Sequence, residues 1–152
     1  MVPYASIAQI IDRLGERQVV ALTDRLCMGE VDNDRLTAAL VAASVEIDSY
    51  IGTRYSIPVM VDPVPLTLVD VCIDVAVYKL SRGDVVLTDE VKVIYDRAVK
   101  WLEKVRDGKA SVGIAAPLDG SAVVPAESGD VVLFTAGRAG VFGRGVADDT
   151  VS

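Results

Sequence analysis

Asp70 and Asp74 stand one helical turn apart, a spacing that puts two carboxylates on one helix face, where such a pair can move protons. That chemistry needs a nucleophile or a metal ligand beside it, and the one such residue between them, Cys72, reads as an inert small core residue. Like charges at this spacing repel by about 0.3 kcal/mol on an exposed helix. A solvated stripe, or pairing with Arg54, Lys79 or Arg82, is therefore the better account of the two aspartates. Asp24, Gly29 and Asp32 follow part of a calcium-loop pattern, with Val31 at its apolar position. Leu26 and Met28 occupy ligand positions and Arg35 replaces the closing bidentate glutamate, so a turn between helices is expected instead. Gly137, Gly140, Gly143 and Gly145 offer a backbone for phosphate, yet the Lys-Ser/Thr pair that would bind phosphate and metal is missing and no helical pattern follows. A glycine-rich arm fits better, with Phe142 as an apolar anchor and Arg138 and Arg144 suited to an acidic groove on a neighbour.

The absences narrow the chemistry further. There is no histidine, which removes the commonest general base, the usual triad partner and the commonest transition-metal ligand. Cys27 and Cys72 lie far apart without metal-ligand spacing, so neither a disulfide framework nor a zinc site is expected, and a reducing cytoplasm is the natural place of synthesis. No catalytic residue, cofactor or metal is assigned.

The elements that would position these residues are mostly helical. Ser6 and Gln9 form a capping-box pattern for a short helix ending at Leu14 and Gly15, and 16–22 can form a second. Leu36, Ala39, Leu40, Ala43, Ile47, Tyr50 and Ile51 recur on one face of a long helix over 33–53, capped by Asp32 or Asn33. Pro58, Pro63 and Pro65 rule out helix until Pro65 opens the next one. From 66 to 80 that helix is apolar almost all round, with Leu66, Val69, Ile73, Ala76, Val77 and Leu80 on one side and Val71, Val75 and Tyr78 on another, so it should be buried on more than one side. Thr88 caps a last helix, whose stripe runs through Val91, Ile94, Tyr95, Ala98, Trp101, Leu102 and Val105 to Gly108.

Beyond Lys109 the composition changes: seven of the twelve glycines fall between Gly113 and Gly145, and Pro117 and Pro125 interrupt. A short strand over 131–135, containing Phe134, is possible, but no partner strand is obvious. The fold class expected is mainly α: a small helical bundle with two long helices, short N-terminal helices and a Gly-rich extended C-terminal arm. Residues 1–109 form the helical domain and 110–152 the arm or a small β extension.

The 152 residues suit one domain. Apolar residues make up 51% with only 5% aromatic, which favours a core of Val, Leu, Ile and Ala over a large aromatic-lined pocket. The mean hydropathy of +0.40 is high, yet no apolar run approaches the roughly 20 residues of a membrane span. Subunit interfaces are the expected destination of that surplus. The net charge of -7 argues against a sequence-reading DNA-binding domain, since phosphate neutralisation supplies most of such affinity. An acidic wall is compatible with DNA that must slide past it.

Tyr4, Leu22-Thr23-Asp24, Ile47-Asp48 with Tyr50, Arg54-Tyr55, Ile57-Pro58-Val59, Asp74 with Ala76 and Tyr78, and the closing Tyr95, Ala98, Trp101 and Leu102 form an ordered set. In this order and spacing the chain resembles the Mu-type neck proteins of tailed phages and prophages over roughly residues 3–112. The resemblance implies a small helical virion protein without an active site, which completes the DNA-filled head below the portal and joins it to the tail. It implies a ring of roughly twelve copies, with the portal protein above and a tail-completion or stopper protein below. DNA would pass through without sequence-specific binding, and no membrane would be involved. Candidate interface residues are Asp70, Asp74, Lys79, Phe134, Arg138, Phe142 and Arg144. A helical protein-binding module or phage regulator is the alternative.

Overall fold

The computed structural model describes residues 1–82 and 87–114. Five helices follow in chain order: α1 (Ile7–Leu14), α2 (Glu16–Thr23), α3 (Asn33–Ile51), α4 (Leu66–Ser81) and α5 (Asp89–Arg106), and no strand occurs among the described residues. The mainly helical fold expected from the sequence is the fold observed. The suggested strand over 131–135 and the rest of the arm from 115 onward lie outside the described residues.

Local chemistry sets the helix ends. Ser6 accepts from the Gln9 amide while the Gln9 side chain accepts from the Ser6 amide, closing the capping box. Gly15, at φ 88, turns the chain directly from α1 into α2, in a conformation that an L side chain resists. Asp32 and Thr88 cap α3 and α5 by accepting from the amides of Arg35 and Val91. α3 ends two residues earlier than the periodicity predicts, at Ile51, because Gly52 to Tyr55 tighten into a turn in which the Arg54 and Tyr55 amides both donate to the Ile51 carbonyl.

α3, α4 and α5 pack on one another pairwise, and α1 and α2 pack together against that trio. α4 and α5 are antiparallel, since Tyr78 stacks on Tyr95 at one end while Thr67 meets Val112 at the other. The innermost seam of α4 is Leu68, Cys72, Val75 and Ala76, all fully buried. Here the structure corrects the sequence-based face. Leu66, predicted to be buried, is exposed, and Leu68 takes a core position. A helix apolar nearly all round carries little phase information, so only its neighbours decide which stripe faces inward. The stripe of α3 faces the core as expected, with Tyr50 only half-buried at its end. Packing continues past α5: Val112 is fully buried in the same core.

Candidate interaction surfaces

Tyr4 ties three parts of the chain together. Its amide donates to Ser44 Oγ on α3 at 3.0 Å, its phenol donates to Asp48, and the Val59 amide donates to the phenol oxygen at 2.9 Å. Burial, followed by the Asp48 hydrogen bond, pushes the phenol well above its ordinary pKa, so it stays a donor. Burial also raises Asp48, against the opposing effect of the bond from Tyr4. Three separate pieces of the ordered set, Tyr4, Asp48 and Val59, thus form one hydrogen-bonded knot. Ser44 continues it inward, donating to the Leu40 carbonyl and lying 3.5 Å from Cys72 Sγ. Burial raises the Cys72 thiol, consistent with an unreactive core residue.

A second knot joins the three long helices. Glu46 of α3 accepts from Tyr95 of α5 at 2.7 Å through Oε1 and pairs with Lys79 of α4 at 2.6 Å through Oε2. Tyr78 stacks on Tyr95 with ring centroids 3.8 Å apart, and the Arg82 guanidinium lies 5.8 Å from the Tyr78 ring centre. Burial and the Glu46 bond push the Tyr95 phenol well above its ordinary value.

The paired aspartates find a partner that their own neighbourhood in sequence does not contain. Arg13 of α1 reaches Asp70 at 3.3 Å and Asp74 at 2.7 Å, in place of the expected Arg54, Lys79 or Arg82. Asp70 is exposed, whereas Asp74 is partly buried, and its desolvation raises its carboxyl despite the cation beside it. Both carboxylates therefore fasten α1 to α4. An open cleft of about 530 Å³ lies beside this clamp, lined by Leu22, Ile73, Val77, Val91 and Ile94 among others. Of the other candidate residues, Lys79 belongs to the second knot, and Phe134, Arg138, Phe142 and Arg144 lie outside the described residues.

The loop between α2 and α3 is closed by its own polar groups. Asp24 accepts from the amides of Met28 and Gly29 at 3.0 and 2.7 Å, which holds its carboxyl below the usual carboxylate range. The buried Thr23 hydroxyl donates to the Val19 carbonyl and accepts from the Asp32 amide. The Asp24 oxygens thus serve the loop's own backbone, and among the described residues no group of three acidic or cysteine side chains could hold a metal ion. The fastened loop presents Leu26 and Met28 outward, 80% and 71% exposed. A second apolar surface lies where the N-terminal segment meets the 58–64 connection, with Val2, Met60 and Val61 exposed. Sequence reasoning passed over both, although an apolar pair inside an otherwise polar loop is a signal of the first.

No helix among the described residues is long and apolar enough to cross a membrane. Residues 4–131 match the family model described as "Bacteriophage Mu, Gp36". The chain is 32% identical over 130 residues to "Gene product J" of Escherichia phage Mu, covering 82% of this chain and 89% of that protein. It is 31% identical over 144 residues to "Mu-like prophage FluMu protein gp36" of Haemophilus influenzae, covering 95% of each. With a family model that matches residues 4–131 and relatives matched over most of their length, the chain belongs to the phage Mu Gp36 family.

Proposed function

We propose that the protein is a structural component of the virion neck, a head-to-tail connector that completes the DNA-filled head below the portal and joins it to the tail. The observation that carries this reading is the outward display of Leu26 and Met28 on a loop locked by Asp24 and Thr23. Holding large apolar side chains in water on an ordered loop is unfavourable unless another surface covers them. Membership of a phage protein family supplies the setting. The working unit is a ring of roughly twelve copies, closed by heterologous contacts with a fixed rotation between neighbours. The portal and a tail-completion or stopper protein are the partners on either side. A net charge of -7 suits a passage through which DNA slides without being gripped. The protein acts by surface complementarity and not by catalysis: the paired carboxylates are occupied by Arg13, and the chain has no histidine.

Imaging of phage particles from a strain lacking the protein tests the reading. Filled heads that leak DNA and carry no tails are expected; normal virions would refute it. Mass measurement of the purified protein across concentration, alone and with portal, adds a second check. Rings formed alone or only on portal fit the connector, whereas a strict monomer that ignores portal and binds an unrelated partner favours a regulator.

A further inference from the structure

The groove between the N-terminal segment and the 58–64 connection is walled by Val2, Pro3, Val59, Met60, Val61 and Val64, with a volume of about 510 Å³. Asp62 is the one charged residue among those lining it. Within the described residues it stands open: Val2 is 83% exposed and Met60 87%. The path of the chain after α5 bears directly on what covers it. The Lys109 and Ala110 amides both donate to the Lys104 carbonyl, ending the helix, and the chain then runs back along the start of α4. Val112 is fully buried with its carbonyl 3.5 Å from Thr67 Oγ1, and Gly113 lies against Pro65, the residue after the groove-wall Val64. The described chain therefore ends, at Ile114, close to the rim of the groove. The longest uninterrupted apolar run of residues 115–152 is Val131, Val132, Leu133 and Phe134.

We propose that residues 131–134 of the same chain dock into this groove, with Leu133 and Phe134 covering Met60 and Val61. The stretch between Ile114 and Val131 spans up to about 3.5 Å per residue when extended, ample to reach a site that begins beside its own starting point. A short tether gives the run an effective concentration on the order of millimolar, which favours its own groove over that of a free second molecule. The apolar run removes from water the part of the surface where Val2, Met60 and Val61 are otherwise solvated together. The proposal stands independently of where in the virion the protein acts.

The three methionines provide an internal comparison, because Met28 is also exposed, on the loop far along the chain from the groove. The full-length protein is treated with peroxide and the oxidation rates of Met28 and Met60 are followed by peptide mass. Met60 is expected to oxidise several-fold more slowly than Met28, at a ratio independent of protein concentration. In the full-length Leu133→Asp, Phe134→Asp double variant, with its helical circular dichroism unchanged, Met60 should reach the rate of Met28. Equal rates in the unaltered protein overturn the proposal without need of any variant. Protection that disappears on dilution assigns the occupant to a second copy, and protection that survives the double variant assigns it to another segment; either also overturns it.

Discussion

Tyr4 and Tyr95 both donate from a phenol to a carboxylate, and their surroundings give the two bonds different weights. Removing the Tyr4 hydroxyl leaves the buried Val59 amide without its acceptor and Asp48 without its donor, so Tyr4→Phe should destabilise the fold by about 2 kcal/mol. Tyr95→Phe leaves Glu46 still paired with Lys79 and should cost about 1 kcal/mol. Urea unfolding of the two variants side by side measures the order. The carboxylates separate by pH as well. Asp48 is raised above its ordinary 3.8, so the folded state holds its proton more tightly, and its contribution to stability falls as pH rises from 3.8 through the raised folded value. Asp24 is lowered, so its contribution is present above 3.8 and is lost as pH falls through the depressed folded value. Carboxyl NMR titration should find the two moving in opposite directions from the ordinary value; coincident titration would contradict the burial of Asp48 and the amide hydrogen bonds to Asp24.

At the scale of elements, the short N-terminal helices are held to the core by few groups, and each can be removed separately. Arg13→Ala takes from the partly buried Asp74 its directly hydrogen-bonded cation, leaving only the weaker influence of Arg97, and should cost about 1 kcal/mol, whereas Asp70→Ala removes only an exposed partner and should change stability by about 0.3 kcal/mol or less. Equal effects of the two, measured by thermal unfolding, would place the clamp elsewhere. The ends of the helices were legible in the sequence because caps are local chemistry: Ser6 with Gln9, Asp32 and Thr88 each bond within three residues of themselves. The inward stripe of α4 was not. Its apolar circumference is nearly continuous, and the choice of Leu68 over Leu66 depends on where neighbouring helices lie.

For the whole molecule, much of the apolar surplus seen in composition is consumed inside the bundle, because α4 is buried along most of its length. Among the described residues the remainder is uncovered in places such as the Leu26–Met28 loop and the groove by Met60. The variant Leu26→Asp, Met28→Asp should fold with stability within about 0.5 kcal/mol of the original, since neither side chain packs in the core. It should nevertheless fail to restore tailed particles to a strain lacking the protein, with head–tail joining scored by electron microscopy. Full restoration would remove the loop from the connector reading. Deleting 115–152 should leave most of the helical circular dichroism in place, because Val112, upstream of the cut, is fully buried in the core, while ring formation weakens. Loss of the helical signal would mean that the deleted residues belong to the core.

The sequence by itself determined the helical class, the caps, the inward faces of α3 and α5 and the lack of histidine chemistry, because each depends on residue type and on spacing within a few turns. Its ordered signature also resembles the phage Mu family. Tertiary structure decided the partners: Arg13 for Asp70 and Asp74, Glu46 for both Lys79 and Tyr95, and Tyr4 for Asp48 and Val59. These pairs are separated by 33 to 61 positions along the chain, and no local periodicity encodes which distant side chain will arrive. The same holds for the exposed apolar loop and groove, which acquire meaning only when the rest of the apolar residues are seen to be covered.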